Sequence, residues 1–334
     1  MGSRVARALV AVVALQACAP LVEGSGPIVA TPALSPDTAT PQRFVAADGA
    51  ILPVRAWLPA DGPPRAVLIA LHGFNDYSHF FAEPGAFFAR RGIAVYAYDQ
   101  RGFGAAPHPG LWAGTEALVA DAKAFVRLVR ARHDGVPLVL LGDSMGGAVA
   151  MVTMTDPDPP PVDGVILAAP AVWGRITMPW YQRLALAIGA HTLPWLKVSG
   201  RGLNITPSDN IEMLRALARD PLVIKETRID AVYGLVNLMD EALERAARFD
   251  ARALILYGQK DEIIPKEPTL RMLERRPAAA RDRQRVAIYK NGYHMLLRDL
   301  DARTFWRDIA AWIEEPAQAL PSGADKTPLA ALAE

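Results

Sequence analysis

The chain has 334 residues, with 36 Lys and Arg against 35 Asp and Glu for a net charge of +1, so it lacks the basic excess that nucleic-acid binding normally demands. At 51% hydrophobic residues it can bury a large core, enough for two domains or for one large α/β domain carrying an insertion. Cys18 is the only cysteine, which excludes an intramolecular disulfide. In chain order, Arg4 and Arg7 precede an apolar run from Ala8 to Leu15 that is too short to span a bilayer and reads as an export signal.

That run closes in Leu15-Gln16-Ala17-Cys18, which resembles the lipobox of bacterial lipoproteins. The resemblance implies a signal peptide over residues 1–18 and lipidation of Cys18. It also implies export and anchoring to a bacterial membrane, at its periplasmic face or on the cell surface. Residues 19–41 carry Pro20, Pro27, Pro32, Pro36 and Pro41 among Gly, Ser and Thr. They show no apolar periodicity and predict a tether.

From Arg43 the pattern becomes regular. Arg43 to Ala46 and Ile51 to Trp57, separated by Asp48-Gly49, predict a hairpin. Strands are predicted at Ala66–Leu71, Ile93–Tyr98, Leu138–Leu141, Val165–Ala168, Ala253–Tyr257 and Val286–Tyr289. Helices are predicted at Phe80–Arg90, Thr115–Arg132 and Thr304–Glu314, and this alternation implies a parallel sheet with helices on its faces. Between Ala169 and Arg248 the rhythm stops for some eighty residues, too long for a structureless loop. Dense apolar residues there, among them Trp173, Trp180, Tyr181, Leu184 and Trp195, predict a helical insertion that lines an apolar pocket as a lid. The tail from Pro316 is Pro/Ala-rich and is expected to fray.

Pro137-Leu-Val-Leu-Leu-Gly142-Asp-Ser144-Met-Gly146-Gly-Ala-Val-Ala150 reads as strand, sharp turn and helix. Gly142 and Gly146 flank Ser144 because a tight elbow leaves no room for side chains there. A serine hydroxyl is a poor nucleophile at neutral pH and needs a base, oriented in turn by an acid. In elbow enzymes the acid and the histidine follow the serine in that order. Of the six histidines, His294 meets this requirement, in the loop after the last strand. Asp261, in the loop after Ala253–Tyr257, is the candidate acid, with Glu262 its nearest rival. Asp99 reads as part of a structural loop with an internal ion pair to Arg101, and Asp143 as pointing away from the nucleophile. The backbone amides of Phe74 and Met145 are placed to receive a developing oxyanion.

These residues together resemble the α/β-hydrolase family, and within it the monoacylglycerol lipase and lysophospholipase-like branch, over roughly residues 44–314. The resemblance rests on His72-Gly73-Phe-Asn-Asp76-Tyr-Ser78, Tyr98-Asp99-Gln-Arg101-Gly102-Phe-Gly104, Gly142-Asp-Ser144-Met-Gly146-Gly147, Gly258-Gln-Lys-Asp261 and Gly292-Tyr-His294. Asp220-Pro221-Leu222 also looks like that branch's cap. Asn75 and Asp76 depart from the branch's frequent Gly-Glu, and Asp143 from its frequent His. The resemblance implies an α/β-hydrolase fold, with a mostly parallel central sheet flanked by helices and a helical cap after the sixth strand. The core would span residues 42–168 and 249–315, the cap 169–248 and a flexible tail 316–334. It further implies Ser144, Asp261 and His294 as the triad, Phe74 and Met145 as the oxyanion hole, and no cofactor.

The function expected is a serine esterase acting on esters with an apolar acyl chain, monoacylglycerols or lysophospholipids, anchored to a membrane through Cys18. A second expectation is a proline-releasing peptidase of the same fold, which would need acidic cap residues such as Glu212, Glu226 or Asp230 to hold a substrate amine. A third is a silent binding module, against which the intact Ser144, Asp261 and His294 argue.

Overall fold

A computed structural model describes residues 19–200, 202 and 204–332. The export signal and Cys18 lie outside the described residues. Eleven strands and eight helices follow in chain order among these residues: β1 (Ala33–Leu34), β2 (Gln42–Val45), β3 (Ile51–Trp57), β4 (Ala66–Leu71), α1 (Ala82–Ala89), β5 (Ile93–Tyr98), α2 (Thr115–Arg132), β6 (Leu138–Asp143), α3 (Met145–Met154) and β7 (Gly164–Ala168). Next come α4 (Trp180–Thr192), β8 (Lys197–Val198), α5 (Ile211–Arg219), β9 (Thr227–Arg228) and α6 (Ile229–Arg245). The chain closes through β10 (Ala253–Gly258), α7 (Lys266–Arg275), β11 (Gln284–Tyr289) and α8 (Ala302–Glu314).

Nine strands form one sheet in the order β1-β2-β3-β5-β4-β6-β7-β10-β11. The pairs from β5 to β11 are parallel, whereas β1, β2 and β3 pair antiparallel at one edge. Every residue of β4, β5, β6, β7 and β10 is buried. Their unbroken apolar runs therefore suit strands covered on both faces rather than half-exposed ones. Alternate residues feed two cores. Val67, Ile69 and Leu71 join Phe125, Val149 and Phe249 beneath α2 and α3, while Leu68 and Ala70 join Phe81, Phe88, Phe305 and Trp306 beneath α1 and α8.

The structure departs from the sequence expectation at several places. Residues 78–81 form a 3-10 turn before α1, not the start of one helix at Phe80. The stretch expected to be a tether is laid along the core. Ala33 and Leu34 pair with Val45 and Phe44, the Arg132 guanidinium donates to the Leu34 and Ser35 carbonyls, and Val29 and Ala30 both donate to the Ala47 carbonyl. Farther toward the N-terminus, Glu23 donates to the Trp112 carbonyl at 2.9 Å, and Leu21 to the carboxylate of Asp230 on α6 at 3.4 Å. Much of the docking is carried by backbone groups, which leave no periodicity to read, and the Asp37 carboxylate adds an ion pair with Arg132 and accepts from the Tyr96 hydroxyl at 2.9 Å. The docking also adds a strand, so the insertion follows the seventh strand and not the sixth. The tail is seated too: Arg285 pairs with Asp325, Ser322 donates its backbone N–H to Asp308, and Leu320, Ala324 and Leu332 are buried.

Between β7 and β10 the insertion holds α4, α5 and α6, together with a two-stranded ribbon of β8 and β9 that the sequence did not announce. Helix α6 is its base. It buries Val236, Leu238, Met239, Ala242 and Leu243, and the Trp112 ring lies against Gly234. Among the described residues, α4 buries Ala190 alone and α5 buries none. Trp180, expected to line a pocket, is 67% exposed, and Trp195 is 50% exposed. Trp173, Met178 and Leu186 pack on the core, but Trp180, Tyr181, Leu184, Trp195 and Leu196 are turned outward, a distinction that hydrophobicity along the chain cannot make. Tyr77 ties the insertion to the core by donating its hydroxyl to Asp220 at 2.6 Å. No helix among the described residues is long and apolar enough to cross a membrane.

Candidate active site

Ser144 stands between the end of β6 and the first turn of α3, with φ 50° and ψ −113°. A residue with a side chain pays roughly 1–3 kcal/mol for such a backbone, so its surroundings must enforce it. Ser144 donates its N–H to the Ala168 carbonyl at 2.9 Å, and its own carbonyl accepts from Gly147 and Ala171 at 2.9 Å each. The two glycines explain themselves by close approach: a methyl group at Gly142 would overlap the Gly146 carbonyl, and one at Gly146 would overlap the Leu71 carbonyl. The turn can form only where these backbones touch, which leaves the hydroxyl partly exposed at its tip.

His294 comes from the loop after β11 and Asp261 from the loop after β10. His294 Nδ1 lies 2.8 Å from Asp261 Oδ2, and Nε2 lies 2.9 Å from Ser144 Oγ. The other oxygen of Asp261 accepts from the amides of Ile263 and Ile264 at 2.8 and 2.9 Å. An ionised carboxylate only accepts, so Nδ1 carries the imidazole proton and Nε2 is left to take the serine proton. Burial alone would push the His294 pKa down, but the charge and hydrogen bond of Asp261, with smaller contributions from Asp143 and Asp299, hold it above its ordinary value. The histidine loop is steadied by Asp299, which accepts from the Tyr293 amide at 2.9 Å and from the Ser208 hydroxyl of the insertion at 2.6 Å.

Phe74 lies just beyond β4, and Gly73 is packed against Ser144 and Asp143. Among the described residues neither the Phe74 nor the Met145 amide donates to a protein acceptor. Both amides are thus available to a ligand beside the serine. The rival acid Glu262 is occupied elsewhere, accepting from the Thr206 amide at 2.6 Å.

Two sequence expectations are corrected here. Asp99 does not pair with Arg101; it accepts from the Ser78 amide and hydroxyl at 3.0 and 2.5 Å and from the Ala105 amide at 2.9 Å. Arg101 instead bridges Asp48 and Asp121 with four hydrogen bonds of 2.5–2.9 Å. Asp143 does not point away from the chemistry. Its carboxylate is buried beside Gly73, burial pushes its pKa up to about 6, and His294 is the largest charge opposing that rise. Residue adjacency suggested divergence, but the strained turn brings the side chain back under the site.

The family described as serine aminopeptidase, S33, matches residues 62–301. The chain is 24% identical over 288 residues to the monoacylglycerol lipase of Mycolicibacterium smegmatis, covering 83% of this chain and 97% of that one. It is 26% identical over 284 residues to the human monoglyceride lipase, covering 81% and 89%. The crystal structure of the Paleococcus ferrophilus monoacylglycerol lipase superposes with a TM-score of 0.65 at 23% identity, covering 78% of this chain and 98% of that one. With over two thirds of its length matched and an elbow, acid loop and histidine loop set on a mostly parallel sheet, the chain belongs to the serine aminopeptidase, S33, family of α/β hydrolases.

Proposed function

We propose that the protein hydrolyses carboxylic esters with an apolar acyl chain, of the monoacylglycerol or lysophospholipid kind, through an acyl-enzyme on Ser144. The observation that carries this reading is the proton relay, 2.9 Å from serine to histidine and 2.8 Å from histidine to aspartate, set beside two amides free to bind an oxyanion. Ser144 Oγ attacks the ester carbonyl as its proton passes to His294 Nε2. The carbonyl oxygen gains charge against the Phe74 and Met145 amides, each worth about 3 kcal/mol of barrier. His294 then returns the proton to the departing alcohol, and water repeats the sequence to release the acid. Asp261 stabilises the imidazolium in both halves.

The substrate class draws support from relatives named monoacylglycerol and monoglyceride lipases and from the apolar surface of α4. The family's aminopeptidase name favours a second reading, cleavage of a peptide with a free amine. Against it, Asp230 is paired with Arg228 at 2.5 Å and Glu212 with Arg215 at 2.5 Å, and Glu226 is exposed. We also propose that Cys18 carries a lipid and holds the protein to a membrane, on the strength of the Leu15-Gln16-Ala17-Cys18 ending.

Catalytic efficiency on acetyl, butyryl, octanoyl and longer glyceryl esters, beside aminoacyl anilides, tests the substrate. Efficiency should rise by up to roughly fourfold per methylene, at about 0.8 kcal/mol each, and then level off. Cleavage of the anilides with inert esters would overturn the ester reading.

A further inference from the structure

His72 is wholly buried, with both ring nitrogens placed against backbone groups, one of them on Gly73, which packs against the reacting serine. Its Nε2 accepts from the Gln100 amide at 2.9 Å. A backbone N–H can only donate, so Nε2 must be bare and the ring proton must sit on Nδ1. That proton points at the Gly73 carbonyl, 2.8 Å away. The ring is held edge-on by Phe103 at 5.6 Å and Phe80 at 6.4 Å, and Gln100 also donates its side-chain amide to the His72 carbonyl at 2.9 Å. Burial holds the His72 pKa below its ordinary value, which keeps the ring neutral and this tautomer in place.

The Gly73 carbonyl and the Phe74 N–H are the two ends of one peptide unit. The unit is planar and trans, so fixing the direction of its oxygen fixes the opposite direction of its hydrogen. We infer that His72 is a positioning residue: through Nδ1–H it clamps the Gly73 carbonyl and thereby aims and polarises the Phe74 amide at the oxyanion. The inference deepens the proposed hydrolytic reading and rests on it. A hydrogen bond into one end of a peptide strengthens the donor at the other, because linked hydrogen bonds polarise one another. The Phe74 ring does not supply this control, since it packs on the rings of Phe103 and Trp112.

Two substitutions separate the ring's roles. In His72→Asn the side-chain amide can occupy the Nδ1 position and donate to Gly73. In His72→Gln the side-chain oxygen can occupy the Nε2 position and satisfy Gln100, while the donor to Gly73 is lost. The measurement is the second-order rate constant for fluorophosphonate labelling of Ser144, with kcat and KM on an ester and the melting temperature of each variant beside it. His72→Gln should label about 100-fold more slowly, the lower range for loss of an oxyanion donor, and lose kcat with KM unchanged. His72→Asn should stay within about tenfold of the unaltered protein. Equal labelling by His72→Gln and the unaltered protein, or equal losses in both variants, overturns the inference. Labelling does not depend on the natural substrate, so an unaltered protein that labels but turns over no ester defeats the ester reading alone. A further measurement needs no variant: the nitrogen resonances of His72 should report a protonated Nδ1 and a bare Nε2, and the opposite tautomer overturns the clamp.

Discussion

His294 Nε2 meets the Ser144 hydroxyl at 2.9 Å across 150 residues of sequence. Because the two share one proton, removing either disables both halves of the reaction. Ser144→Ala and His294→Ala should each lower ester turnover by roughly 10⁴- to 10⁶-fold, and together by no more than either alone. Fluorophosphonate labelling should vanish in Ser144→Ala. Labelling that persists there would place the nucleophile elsewhere.

The acid limb of the pH profile should lie above 6.5, the ordinary histidine value. His294 works as a base only when neutral, and its pKa is raised, so kcat/KM climbs as pH rises through that raised value. Asp143, itself titrating at about 6, favours the charged imidazolium when ionised. Asp143→Asn removes that charge and should move the acid limb to lower pH, with Asp261 and Asp299 still holding it up. A limb that stays in place would show that Asp143 is electrically silent.

Trp180 and Trp195 project from the insertion into solvent. Replacing exposed side chains usually alters stability by no more than about 0.5 kcal/mol. Trp180→Ala and Trp195→Ala should therefore leave turnover of a soluble butyryl ester within about twofold while lowering turnover of an emulsified long-chain ester. Equal loss on both substrates would assign the tryptophans to the site itself.

Arg101 neutralises two carboxylates at once, and removal of one member of a buried charge group typically destabilises by about 3–5 kcal/mol. Urea unfolding of Arg101→Ala at pH 7 should show a loss of that order. Hydrogen bonds from Arg101 hold Asp48 far below the usual carboxylate range. Its contribution is present above the unfolded pKa of about 3.9 and fades as pH falls toward the folded value. The gap between variant and unaltered protein should narrow on acidification below about pH 4. A gap that widened instead would contradict the assignment.

The elbow, the acid loop and the histidine loop could be read from sequence because each is local: an apolar run, a glycine-bracketed turn, and one residue just past a strand. The sheet was legible for the same reason, and α2 falls on Thr115–Arg132 as its spacing predicts. What sequence could not give is direction in space. Trp180 and Leu184 read alike whether they face a pocket or water. The partners of Arg101 lie 53 residues before it and 20 after it, and nothing in the motif around Asp99 names them. His72 shows the limit most clearly, since its tautomer is set by the Gln100 amide, 28 residues away.

Should Cys18 be lipidated, the mature chain will begin at that residue and partition into detergent, and Cys18→Ser will release it to the aqueous phase. Mass spectrometry of the purified protein decides the point, and finding Met1 intact would exclude the anchor.

The seating of residues 19–41 on the core changes how far an anchored molecule can stray. Free and stretched, that segment would pay out roughly 80 Å of leash, at about 3.4 Å per residue. Held at Leu21 by Asp230 and at Glu23 by Trp112, it allows Cys18 a reach of at most roughly 10 Å from Leu21, at about 3.4 Å per residue. The point of exit is specific as well. Asp230 and its neighbour Ile229 donate to the carbonyls of Pro194 and Leu196 at 3.1 and 2.9 Å, so the chain departs beside exposed Leu193, Trp195 and Leu196. A lipid on Cys18 would then act less as a tether than as a mooring, fixing which side of the molecule meets the bilayer.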